Sequence, residues 1–152
     1  TANDLKIVQG LNAALFVYDA PHDDALDVAW PFSKEGVGYY RQSLADSEKA
    51  AFVAEDGVKN AVGYIIGCAT NKFRYRKVKT GELENMFTVP QWRGKGVGKA
   101  LIHALKQWMK TKGVSRVYVS AYANNEEAVR FYKKCGFEPW EIGLELKLDT
   151  HL

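Results

Sequence analysis
The chain has 152 residues, of which 47% are apolar, 26% charged and 12% aromatic, the balance of one globular domain spanning 1–152; a disordered, collagenous or coiled-coil protein is excluded. Its longest uncharged stretches, Ile7 to Tyr18 and Asn60 to Asn71, fall well short of the ~20 residues of a membrane-spanning helix. The net charge of +3 does not by itself call for a nucleic-acid partner, but it is unevenly spread: residues 1–70 carry five cations against ten anions, residues 71–112 eleven against two, and residues 113–152 five against six. The basic middle asks for an anionic ligand, with phosphate the first candidate, while the acidic N-terminal part accommodates a cationic one.

In chain order, Leu5 to Val8 reads as a short first strand. Gly10 to Ala45 reads as short helices joined by a loop and broken at Pro21 and Pro31. Ala51 to Ala54 and Ala61 to Ala69 are apolar runs around Glu55, Asp56, Gly57 and Asn60, the pattern of a hairpin. Lys72 to Thr80 is strongly basic, and Leu83 to Val89 follows as a further strand ending at Pro90. Val97, Leu101, Ala104, Leu105, Trp108 and Met109 recur at helical intervals up to Gly113. Val117, Val119 and Ala121 alternate with Arg116, Tyr118 and Ser120 as a half-buried strand. Asn124 or Asn125 then caps a helix running to Cys135, and Phe137 to Leu148 supplies the last strands. The order of elements gives a mixed α/β sheet with at least one parallel crossover, beside which a ligand would sit.

The chemistry is concentrated in the turn Arg93, Gly94, Lys95, Gly96, Val97, Gly98 and Lys99, between a predicted strand and a predicted helix. Closely spaced glycines let backbone N–H groups converge on a ligand without Cβ obstruction, and a helix start adds unpaired donors with partial positive charge. A pyrophosphate suits such a nest, with Arg93, Lys95 and Lys99 as cations around it. Two other phosphate loops fail. Arg93 and Ala100 occupy positions where a P-loop needs Gly and Ser or Thr, and GxGxxG is broken by Lys99 or Leu101. Cys68 and Cys135 form neither a disulfide framework nor a zinc site and have no positioned His. His22, His103 and His151 lack metal-ligand spacing, so no metal is expected. With no export signal readable, a cytoplasmic setting is the expectation.

Arg93, Gly96 and Gly98 fit the motif Q/RxxGxG/A, a match that Gln91, Gly94 and Gly96 share by spacing. About thirty residues on, Asn125, Ala128, Phe131, Tyr132, Lys134, Gly136 and Phe137 fit NxxAxxFYxKxGF. On these two motifs the chain resembles the GNAT superfamily of acetyl-CoA-dependent N-acetyltransferases over roughly residues 82 to 137. The resemblance implies a mostly antiparallel central sheet with a parallel splay between the family's fourth and fifth strands, flanked by helices. It also implies acetyl-CoA as cosubstrate and an amine acceptor. The main chain of Met86, Phe87 and Thr88 would hold the pantetheine arm like an added strand, with Thr88 replacing the usual apolar residue. Residues 93–99 would hold the pyrophosphate, and Asn125 would hydrogen-bond the cosubstrate. Tyr132 corresponds to the family's general acid, which protonates the departing thiolate and also borders the cosubstrate.

Attack on a thioester needs a neutral amine, so a group must take up its proton. Glu82 and Glu84, two residues apart on one strand face, both qualify, directly or through a water, although solvated cross-strand pairs would account for them equally. Glu84 stands where polyamine-type relatives carry a carboxylate and Glu82 where histone-type ones do; Glu84 is preferred. His22, Asp23, Asp24, Asp27 and Trp30 stand where the family builds its acceptor pocket and suit a cationic amine. Arg74, Arg76, Lys77 and Lys79 instead suit an acidic substrate or protein face. A small-molecule amine is favoured, with a protein lysine or N-terminus as runner-up. A nucleic-acid-binding module and a non-catalytic CoA sensor are the readings from other classes. Dimers are frequent among related enzymes, so a homodimer is an expectation that no residue here locates.

Overall fold
The computed structural model describes residues 1–148; His151 lies outside the described residues. Helix α1 (Ala2–Asp19) starts from a reciprocal cap in which the Asp4 backbone N–H donates to Thr1 Oγ1 at 3.2 Å and the Asp4 carboxylate accepts from the Thr1 backbone. This replaces the first strand expected at Leu5 to Val8. Leu5 and Val8 belong to a longer helical stripe through Leu11, Asn12 and Leu15. The polar residue in that stripe hides its period. Asn12 is buried because the Tyr40 hydroxyl donates to its Oδ1 and its amide donates to the Tyr64 hydroxyl at 2.6 Å. Pro21 and Pro31 stand within single 3-10 turns, Ala20–His22 and Trp30–Phe32, and α2 (Lys34–Ala45) follows with Ser33 as its cap.

Strands β1 (Lys49–Glu55) and β2 (Ala61–Cys68) form the expected hairpin, and β3 (Thr80–Thr88) pairs antiparallel with β2. After the 3-10 turn Pro90–Trp92 come α3 (Val97–Thr111), β4 (Arg116–Val119) and α4 (Glu126–Lys134), with Asn125 capping α4. The sheet order is β1-β2-β3-β4, with β4 parallel to β3. On one face Ile65, Leu83, Leu101, Leu105 and Met109 bury the apolar stripe of α3; on the other, Val8, Tyr40, Tyr64, Ile66 and Phe87 receive α1 and α2. The strands expected within Phe137 to Leu148 are absent. That segment is irregular: no described strand pairs with it, and beyond Phe137 and Trp140 its large apolar side chains Ile142, Leu144, Leu146 and Leu148 stay exposed.

Two details of β3 position the site. Its pairing with β4 stops at Leu83 opposite Val119, so Glu84 to Thr88 have a strand neighbour on the β2 side only. The register of β2 against β3 runs from Gly67 opposite Leu83 directly to Ile66 opposite Asn85. Glu84 is therefore the extra residue of a bulge. The bulge puts two consecutive side chains, Glu84 and Asn85, on the side of Tyr39, and both bond to its hydroxyl.

Candidate active site
Where β3 and β4 part, a cavity of about 660 Å³ opens between α1, α4 and the sheet. Its floor is the free edge of β3, its far wall is formed by Ser120 to Tyr122 and α4, and α1 contributes Tyr18 and Asp19. Arg93, Gly94 and Gly98 border one end. Gly94 and Gly96 have φ of +72° and +86°, a left-handed backbone that glycine adopts without strain, and a Cβ on either would meet nothing within 4 Å. Gly98 serves a different need, since a Cβ there would lie 2.8 Å from the Phe131 ring, so it lets α3 and α4 approach. Gly96 is the N-cap of α3 and leaves its first N–H groups without a side-chain cap. Arg93 is turned inward: its Nε donates to the Thr88 carbonyl at 2.9 Å, and its guanidinium lies 4.6 Å from the Tyr18 ring centre. Lys95 lies over Trp92 at 5.0 Å, and both Lys95 and Lys99 are exposed. The main-chain run Met86, Phe87 and Thr88 lines the cavity, as do Asn125, Ala128, Phe131 and Tyr132.

Tyr132 packs edge-on against Phe131 and Phe137 at centroid distances of 5.5 and 5.6 Å. Burial pushes its phenol well above the ordinary tyrosine value, with the Asp19 carboxylate adding to the effect. It stays protonated throughout the physiological range and has a proton to donate. Asn125 is buried, and its Oδ1 is engaged by the Ala128 N–H at 3.1 Å as the α4 cap. Glu84 lines the cavity. Both its oxygens accept from Lys49 Nζ at 3.0 and 3.1 Å, and the Tyr39 hydroxyl donates to Oε2 at 2.7 Å. Burial and the Glu84 charge raise the Tyr39 phenol far above its usual value. Glu82 points to Lys72 at 3.3 Å and does not line the cavity.

The expected acceptor residues are divided between places. Trp30 lines the cavity, stacked on Phe16 at 5.7 Å and 6°. His22, Asp23 and Asp24 line a second groove beside β4, outside that cavity. Asp23 accepts from the Tyr122 hydroxyl at 2.9 Å, and with burial this brings the Tyr122 phenol to about 12. Asp24 is ion-paired with Lys147, and Asp27 accepts from the Ala29 N–H as a local turn. Among the groups in the cavity that are absent from the sequence reading are Tyr18, Asp19, Tyr39, Tyr122 and Glu127. Asp19 has no hydrogen-bond or ion-pair partner among the described residues, and burial raises its carboxyl above the ordinary aspartate value. Its sole sequence signal is an acid at a helix C-terminus, where the macrodipole disfavours it. The walls of the cavity thus carry an anionic and aromatic end and, beyond the open strand edge, a glycine-lined end with Arg93.

The sequence profile of the acetyltransferase (GNAT) family matches residues 15–137. An aminoglycoside N(6')-acetyltransferase type 1 of Stenotrophomonas maltophilia is 32% identical over 118 residues, covering 74% of each chain. An N-alpha-acetyltransferase of Sulfurisphaera tokodaii is 34% identical over 111 residues, covering 68% of this chain and 65% of the relative. Among solved structures, the aminoglycoside N-acetyltransferase AAC(6')-Iy, in complex with a bisubstrate analogue built on CoA, superposes with a TM-score of 0.75 at 19% identity, covering 97% of this chain and 92% of that one. The BH1408 protein of Bacillus halodurans reaches 0.83 at 19% identity, covering 97% and 96%.

Proposed function
Since this chain belongs to the acetyltransferase (GNAT) family and is an N-acetyltransferase, we propose that it transfers the acetyl group of acetyl-CoA directly to the primary amine of a small cationic molecule. The observation that carries this reading is the single cavity at the strand splay. One end of it is bordered by Arg93, Gly98 and the left-handed Gly94, and carboxylates and aromatic rings line the rest. The free edge of β3 at Met86 to Thr88 suits a pantetheine chain, and residues 93–99 suit its pyrophosphate, with Asn125 opposite. When bound, the cosubstrate supplies an activated thioester.

The chain's own residues then bind, orient and move protons. Asp19 and the ring of Trp30 hold the acceptor's ammonium groups, a pairing in which burial strengthens the attraction. Glu84, fixed by Lys49 and Tyr39, receives the attacking amine's proton through a water, since all of its close partners already donate to it. A backbone N–H of the β3 edge meets the charge developing on the acetyl oxygen. Tyr132 gives its proton to the departing thiolate; no covalent enzyme intermediate is needed. The basic residues Arg74, Lys77 and Lys79 do not line the cavity, and its own carboxylates favour a cationic acceptor over an acidic one. The deciding experiment is thiol release from acetyl-CoA against aminoglycosides, polyamines, aryl and alkyl amines, amino acids and peptides. Release with polycationic small amines is the expected result. Release with peptides alone would replace this reading with the protein-substrate one, and no amine-dependent release would overturn both.

A further inference from the structure
The loop between α1 and α2 repeats a four-residue pattern: Asp23, Asp24, Ala25 and Leu26, then Asp27, Val28, Ala29 and Trp30. The backbone repeats with it. In the first unit the Ala25 N–H donates to Asp23 Oδ1 at 3.0 Å and the Leu26 N–H to the Asp23 carbonyl at 3.2 Å. In the second the Ala29 N–H donates to Asp27 Oδ1 at 2.9 Å and the Trp30 N–H to the Asp27 carbonyl at 3.1 Å. An aspartate that accepts from the amide two residues on closes such a turn by itself. The fourth member of each unit is the one that reaches the cavity: Leu26 and Trp30 are half-buried and line it, whereas Asp24, Ala25, Val28 and Ala29 are exposed. Each turn also has an anchor on the body of the protein. The Tyr122 hydroxyl, beyond the end of β4, donates to Asp23 Oδ2 at 2.9 Å. Trp30 lies flat on Phe16 of α1 and edge-on to Tyr40 at 6.3 Å, and the Pro31 carbonyl accepts from Gln9 at 2.9 Å. Asp23 thus has both oxygens engaged, and neither it nor Asp27 lines the cavity.

We propose that Asp23, Asp27 and Tyr122 are positioning residues: the paired turns set Leu26 and Trp30 as the side chains that decide which amines fit the acceptor end, and the Tyr122 hydroxyl fixes the first turn against the sheet. The carbon skeleton of the acceptor lies against Leu26 and Trp30, whose separation follows from the four-residue period of the turns. This rests on the acetyl-transfer reading above, and it divides the acids near the cavity by task. Asp19 lines the cavity and meets an ammonium group through its charge. Asp23 and Asp27 act through shape, as acceptors of an N–H. One substitution separates the two. Asparagine keeps a side-chain oxygen for the amide two residues on and gives up the charge, whereas alanine gives up both. Tyr122→Phe removes the bond to Asp23 alone and keeps the ring that stacks with His22 at 6.2 Å.

Kanamycin and spermidine serve as acceptor probes, with thiol release from acetyl-CoA as the rate. Asp27→Ala and Tyr122→Phe should each raise KM for the reacting probe about 3- to 10-fold, the size of one lost hydrogen bond, with kcat and the Kd for CoA within about twofold. Asp27→Asn should stay within about twofold of the wild type in all three quantities. Leu26→Ala should shift the kcat/KM preference among the amines turned over by at least about threefold, since a wall residue discriminates by contact. In ¹⁵N–¹H correlation spectra the Ala29 amide and the Trp30 indole should move in Asp27→Ala and keep their places in Asp27→Asn. A KM that rises as far in Asp27→Asn as in Asp27→Ala would assign the effect to charge and overturn the proposal. An unmoved Ala29 amide in Asp27→Ala, or an unchanged preference in Leu26→Ala, would overturn it as well. A wild type that turns over no amine defeats the acetyl-transfer reading instead, and the spectra then decide the turns without it.

Discussion
Asp19 and Tyr132 face the same cavity and respond to burial in opposite functional senses. Burial keeps the Tyr132 phenol protonated, which suits a donor, and replacing it by Phe should lower kcat about 100-fold while leaving the Kd for CoA within about twofold. Calorimetry and steady-state rates together check this. For Asp19, burial raises the folded-state carboxyl above its unfolded value. Its contribution to stability is therefore present below the unfolded value and is lost as pH rises through the folded one. Asp19→Asn should raise Tm at pH 7, with the gain shrinking towards pH 3, and should raise KM for a polycationic amine. Scanning calorimetry at both pH values and kinetics with the reactive amine test the two halves separately. An unaltered KM would remove Asp19 from acceptor binding. Glu84→Gln should slow turnover most near neutral pH and recover in part at alkaline pH, where free amine becomes available. A pH–rate profile without that recovery would leave proton removal to water.

At the scale of elements, the site depends on two departures from regularity. The bulge at Glu84 turns adjacent residues of β3 to one face, and the early end of the β3–β4 ladder leaves the strand edge free. The turn from Arg93 to Lys99 divides its glycines by task. Gly94 and Gly96 supply backbone conformation, and Gly98 supplies clearance for Phe131. Gly98→Ala, with its Cβ forced to 2.8 Å from that ring, should cost about 1–3 kcal/mol of stability through overpacking. Because it pushes α3 from α4, it should also weaken CoA binding; urea unfolding and calorimetry measure each effect. The alternation within Phe137 to Leu148 and the apolar run Leu5 to Val8 both read as strands, with different outcomes. The first keeps its strand-like pattern with no strand to pair with, and the second was absorbed into α1 once its Thr1–Asp4 cap and buried Asn12 are seen.

For the molecule as a whole, the two apolar clusters on either face of the sheet fix the positions of α1 and α3, and the cavity is the wedge they leave where β3 and β4 separate. The concentration of cations in residues 71–112 surrounds the glycine turn with exposed Lys95 and Lys99. Association with CoA should therefore weaken several-fold between 50 mM and 500 mM salt, as screening of exposed charges dictates, and titration calorimetry in the two buffers reads it. Both motifs, the α3 stripe, the capped α4, the hairpin and the parallel crossover were legible from local spacing, because period and turn chemistry are properties of neighbouring residues. The partnership of Glu84 with Lys49 and Tyr39, the bond of Tyr18 to Glu127, the proximity of Asp19 to Tyr132, and the removal of His22, Asp23 and Asp24 to a separate groove join residues 35 to more than 100 positions apart. Such contacts leave no local signature. Sequence alone determined the composition of the glycine-rich turn proposed to hold the pyrophosphate; the packing of α1 across the sheet decided which carboxylates line the cavity, since burial and pairing exist only once the chain has closed on itself.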